Sequence, residues 1–307
     1  MSVVRRAPYV LLVFASRIVL ATMAAYPVFA IATRAVGGWP QGDAALFEPG
    51  SMMLLELVRL HRVGIDAWLT QGLLATVVAV PVGFVTNALL LAALAAPSDA
   101  PAGVAARAVS SMRALGGAWA AFAAVLCAWA CVCYALVEAF RGSVEQSSPT
   151  RDWIALVVVL AGGAVTIVIG VLHDVTRAMI VLGVKHVPAA FVASWECARE
   201  RWWPLLAGWW ARGAAGVLLV VLELWAMRRV PLLSGSSAWL GALVHGAIML
   251  GLIVLRASWL SMAIEVAKPR ASVELAAMRT VGVIKDEAIG TAARTGEPDD
   301  PSSGPGA

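Results

Sequence analysis

The chain has 307 residues, 61% of them apolar and 14% charged, with a mean hydropathy of +0.83. A soluble globular domain carries about 25% charged residues, so this composition excludes one and indicates a polytopic membrane protein. The net charge of +4 comes with no clustered basic module, so nucleic acid is not an expected partner; in such a chain, excess base marks the loops held in the cytoplasm.

About 20 apolar residues suffice to cross a bilayer, and the sequence predicts six spans: Pro8 to Ala32, Ala67 to Ala95, Met112 to Ala139, Trp153 to Leu172, Pro204 to Met227, and Trp239 to Met262. The first begins MSVVRRAPYVLLVFASRIVLATMAAYPVFA, which has the Arg5, Arg6 pair of a secretory leader. A leader core, however, is about 7 to 15 uncharged residues. This run continues to Ala32 and carries Arg17, so a retained span is expected.

Between the first two spans, GSMMLLELVRLHRVG gathers Met53, Leu54, Leu57, Val58 and Leu60 on one side and Glu56, Arg59 and Arg62 on another. This pattern predicts an amphipathic helix lying on the outer membrane surface. The third span holds Cys127, Cys131 and Cys133, with Cys197 elsewhere. These positions make no disulfide framework. No His or carboxylate accompanies the three within their run, so they read as small apolar fillers, with neither metal nor cofactor expected.

The fourth span runs into VLHDVTRAMIVLGVK, which puts His173, Asp174 and Arg177 at its end. At about 1.5 Å per residue, Asp174 lies ~31 Å from Trp153, so it is expected at the cytoplasmic boundary, with Arg177 at i+3 able to pair with it. A second amphipathic segment, HVPAAFVASWECARERWW, places Phe191, Trp195, Ala198 and Trp202 on one stripe and Glu196, Arg199, Glu200 and Arg201 away from it, and should lie on the cytoplasmic surface. After Lys268 comes PRASVELAAMRTVGVIKDEAIG, a plausible cytoplasmic helix, and then TGEPDDPSSGPGA, too polar and too rich in Pro and Gly to order itself. Residues 1–268 therefore read as the membrane domain and 269–307 as a tail.

Thirteen Arg and Lys fall on the side of the termini and seven on the other. The positive-inside rule then puts both ends in the cytoplasm of a bacterial inner membrane. Trp68, Trp153, Trp225 and Trp239 would mark the outer interface, and Trp202, Trp203 and Trp259 the inner one.

Charges within spans are expensive and need partners or a task. Arg17, Arg212 and Arg256 lie toward the middle or the cytoplasmic half, as does Asn87, and Asp174 is their nearest candidate counter-ion. Two readings follow. Asp174 pairs with Arg212 or Arg256 to pin helix to helix, the other Arg reaching lipid phosphates. Alternatively, Arg17, Asn87, Arg212 and Arg256 form a cytoplasm-facing anion pocket gated by Asp174, since the planar guanidinium fork suits phosphate or carboxylate. Glu265 could offset part of the cationic surplus. In the outer half, Glu223 and His245 could form a second polar site, or a relay with His173.

No HExxH, GxSxG, P-loop or metal-spaced Cys/His set is present, so catalytic chemistry is not expected. The run DVTRAMIVL followed by AFVASWECARERWWPLLAGWW, with LVFASRIVLATMAAYPVFAIATRAVGG and LFEPGSMMLLELVRL before it, resembles six-span bacterial inner-membrane proteins related to the membrane domain that accompanies some glycerophosphodiester phosphodiesterases. The resemblance spans most of residues 8 to 227 and implies a compact helical bundle without catalysis; the phosphodiesterase domain is missing. The expectation is thus an all-α, polytopic transmembrane bundle of about six spans plus two interfacial amphipathic helices. It would serve as a scaffold or accessory subunit, with membrane lipids, some anionic, and a membrane protein as partners. A small transporter or lipid-handling protein is the alternative.

Overall fold

The structure, a computed structural model, describes residues 6–36, 59, 62–96, 100–143, 149–229 and 235–295. Among them every regular element is helical: α1 (Ala7–Val36), α2 (Arg62–Ala95), α3 (Pro101–Ser143), α4 (Pro149–Val181), α5 (Val187–Glu200), α6 (Trp202–Arg229) and α7 (Gly235–Thr295). Six of the seven are long and apolar enough to cross a membrane, over Ala7–Tyr26, Leu69–Ala95, Pro101–Ala139, Leu156–Val181, Trp202–Ala226 and Trp239–Ala277. The protein is an all-α bundle with the hallmarks of a multi-pass membrane protein. The first expected amphipathic helix, around GSMMLLELVRLHRVG, and the polar end of the tail lie almost entirely outside the described residues.

Proline sets several helix starts. Pro101 and Pro149 each open a helix and Pro188 sits in the first turn of α5, positions where the missing N–H costs nothing. The start of α3 therefore precedes the expected Met112 by three turns. The end of α4 is set by Gly183, whose φ of 121° favours glycine. The Val184 N–H reaches back to the Met179 carbonyl and the Gly183 N–H to that of Ile180, the paired bonds of a Schellman stop. A side chain at Gly183 would also press on Leu275, with 3.3 Å between its Cβ and the leucine. Because this stop comes at Val181 and not at Leu172, Asp174 is carried inside the helix.

α4 and α7 are the hubs. α4 packs on α2, α3, α5, α6 and α7, and α7 on α1, α2, α4, α5 and α6. The core is concentrated at one end, around Leu90 and Leu91 of α2, Val175, Met179 and Ile180 of α4, and Leu260 and Ile264 of α7. At the other end the chain neighbours α3 and α4 meet at Gly162, where a Cβ would lie 3.3 Å from the Cys133 sulfur, and α6 and α7 meet at Gly216 and Gly251. Small residues let helix backbones approach closely in lipid. The remaining faces there are open, with Leu73 67%, Val159 66% and Leu243 68% exposed.

α5 does not rest on its aromatic stripe. It docks through Ala190, Ala193, Ser194, Cys197 and Ala198, all buried, while Trp195 is exposed and Phe191 is part-exposed with its ring 6.0 Å from that of Phe122. Of the four residues expected to share a lipid-facing stripe, Ala198 is therefore buried at the edge of the docked face. Arg270 of α7 donates to the Glu196 carboxylate and so ties α5 to α7. α7 runs without a break across Lys268 and Pro269, so the first part of the expected tail continues the last span.

Candidate functional site

Asp174 is 2% exposed, buried where α4 crosses α7. Arg256 grips it with both arms of its fork: Nη1 donates to Oδ2 at 2.7 Å and Nη2 to Oδ1 at 2.6 Å. Trp259, one turn further along α7, donates its indole N–H to Oδ2 at 2.7 Å. Arg177 on α4 adds a looser contact, Nη1 to Oδ1 at 3.5 Å. A carboxylate so far from water is tolerable because several donors, two of them cationic, replace its hydration.

The sequence ended the fourth apolar run at Leu172; in the structure the apolar helical segment extends to Val181, so Asp174 lies seven residues, or about 10 Å of helix, before its end. Of the two arginines proposed as its partner, Arg256 is the one that pairs. Arg212 donates instead to the Ser258 hydroxyl at 3.1 Å, to the Gly208 carbonyl at 2.9 Å and toward the Met262 sulfur. A Cβ at Gly208 would come within 2.5 Å of that sulfur, so a side chain there would require Met262 to move. Glu265 turns away and pairs with Lys268 at 2.7 Å.

The expected cluster of Arg17, Asn87, Arg212 and Arg256 is thus divided. Arg256 stands between two cavities. One, about 200 Å³, is bordered by Arg212 and Trp209. The other, about 600 Å³, is bordered by Asn87, His173 and Arg177. Arg17 lines neither and sits on an exposed face of α1. In the larger cavity Asn87 is steadied by its Nδ2 donating to the Gly83 carbonyl at 2.7 Å. His173 rests against Phe122, ring centroids 4.7 Å apart, and its Nε2 is buried without a hydrogen-bond partner among the described residues.

Two residues of this site carry roles not foreseen from the sequence. Trp259 was expected at the lipid interface but is 2% exposed and serves as a ligand of Asp174; its i+3 spacing from Arg256 was the available signal, since it puts both on one helix face. His173 was expected only as a distant relay for Glu223 and His245. Those two do meet, Nδ1 to Oε1 at 2.5 Å between α6 and α7, but His173 belongs to the cavity beside Arg177.

Comparison of the chain with protein-family models, with curated proteins and with solved structures finds no match.

Proposed function

We propose that this protein is a scaffold or accessory subunit of a bacterial inner membrane, without catalytic chemistry of its own, whose bundle is locked by Asp174 and Arg256. The carrying observation is the bidentate pair between the two hub helices, supplemented by Trp259. A buried carboxylate gripped by Arg256 and Trp259 from the facing helix is suited to holding the two helices in register.

In this reading both termini and the Asp174 end face the cytoplasm, which places Lys185, Arg199, Arg201, Lys268 and Arg270 on the side that the positive-inside rule prefers. A cysteine introduced at Ser148 should react with an impermeant label added from outside, and one at Ser302 should not; the reverse pattern overturns the orientation.

The role itself is tested by native mass spectrometry of the chain released gently from its membrane, alongside Arg212→Ala. A scaffold should leave with a second polypeptide at fixed stoichiometry whichever residue stands at 212. A chain that always emerges alone counts against the reading.

A further inference from the structure

The larger cavity has a composition that locking the bundle does not require. Two guanidinium groups, Arg177 and Arg256, border it together with the Asn87 amide and His173, and no carboxylate among the described residues lines it. The nearest acid, Asp174, carries one negative charge against the two positive charges that touch it, so the site holds one unit of positive charge in excess. The guanidinium of Arg256 has five N–H donors, of which Asp174 takes two. Its side chain is 40% exposed although its partner is buried, and it borders the cavity. His173 contributes to the wall, its Nε2 buried behind the surface and without a hydrogen-bond partner among the described residues. An isolated cationic surplus within a span is costly, and an oxyanion would relieve it.

The walls indicate what such an anion is attached to. Away from the arginines the cavity is bounded by Val80 and Phe84 of α2 and Leu115 and Trp119 of α3. Val80 and Trp119 are 51% and 52% exposed, so the opening lies sideways between α2 and α3. Both residues are well inside their apolar spans, Leu69–Ala95 and Pro101–Ala139. A cavity that opens toward hydrocarbon and ends in guanidinium groups matches an amphiphile, head inward and chain outward. We infer that the cavity between α2, α3 and α4 binds a single-chain or lipid anion, its phosphate or carboxylate head held by Arg177, Arg256 and Asn87 and its hydrocarbon leaving between Val80 and Trp119.

This inference goes beyond the scaffold reading and fails separately from it, because the assay needs no second polypeptide. Gly83 offers a variant that touches no charge. It borders the cavity, and a Cβ there meets nothing within 4 Å. Gly83→Leu should therefore fill the cavity while leaving the Asp174 pair in place, and leucine favours a helix more than glycine does.

The test uses the full chain in neutral detergent, with thermal unfolding followed against dodecyl phosphate, laurate, dodecanol and inorganic phosphate. Dodecyl phosphate, laurate or both should raise the midpoint saturably, and whichever does so identifies the head. Arg177→Gln should weaken that response about tenfold or more, the scale of one charge-assisted hydrogen bond. Gly83→Leu should abolish it while unfolding at or above the parent's midpoint.

An equal response to dodecanol overturns the anionic head, and an equal response to inorganic phosphate overturns the sideways hydrocarbon exit. No response to either amphiphilic anion, or an undiminished one in a folded Gly83→Leu variant, overturns the site.

Discussion

The two ends of the bundle are built on different principles. At the Asp174 end, helices distant in sequence converge, and Leu91, Met179 and Leu260 are wholly buried. At the other end, α3 pairs with α4 and α6 with α7 through glycines, while long apolar faces stay uncovered. Lipid tails are as apolar as leucine, so hydrophobic burial supplies little reason for the second end to close. An ion pair is different: a carboxylate in hydrocarbon is expensive, and only a partner from another helix relieves it. Asp174 therefore supplies a reason for non-neighbouring helices to meet at one end that apolar surface does not supply at the other.

The largest expected effect comes from breaking that pair. Arg256→Met leaves Asp174 buried with only the looser Arg177 contact and the Trp259 N–H, and should cost about 3 to 5 kcal/mol, the usual penalty for stranding a buried charge. Thermal or denaturant unfolding in detergent reads it. Asp174→Leu combined with Arg256→Met removes the stranded charge and should recover part of the loss while staying below the parent; a double variant as stable as the parent would mean that the pair does not lock the bundle.

Leucine truncation compares the ends directly. Leu91→Ala, at a wholly buried position, should cost about 2 to 5 kcal/mol. Leu73→Ala, on the same helix but two-thirds exposed, should stay within about 0.5 kcal/mol. Equal losses would show that the open faces are covered in the membrane and would remove the contrast.

A smaller effect is expected from Glu223→Gln. The Glu223–His245 contact joins α6 to α7, which are already neighbours, and His245 is half exposed. Polar contacts between membrane helices average about 0.6 kcal/mol, and this one should not exceed that scale by much. A loss rivalling that of Arg256→Met would make the second polar pair as important as the first.

The smallest signal is a rate. Burial on the docked face of α5 pushes the Cys197 thiol up, so less thiolate is present near neutrality. A chain retaining only Cys197 should react slowly with maleimide at pH 7 and faster at higher pH or after unfolding. Fast labelling at pH 7 would mean that α5 is not docked as described.

Much of this was legible in the sequence. The six spans are legible because a run of about 20 apolar residues is a local property that any bilayer reads in the same way. The Asp174–Arg177 contact is also local, fixed by i+3 spacing. The second amphipathic segment was legible as a helix, and Phe191 and Trp195 of its expected lipid-facing stripe are exposed, but the stripe's Ala198 is buried. Close approach to α4 and α7 selects the small residues Ala190, Ala193 and Ala198 for the interface.

What the sequence by itself determined is the helical class, the number of long apolar segments and the presence of more arginines than acids within them. Which arginine answers Asp174 was decided only by the tertiary structure. Arg212 and Arg256 are chemically identical and similarly embedded, but Arg256 approaches α4 where α7 crosses it, while Arg212 is held along α6 by Gly208 and Ser258. The cavity beside them has the same origin. Asn87, His173, Arg177 and Arg256 come from α2, α4 and α7, and no spacing along the chain encodes a void that exists only because those helices pack together at one end.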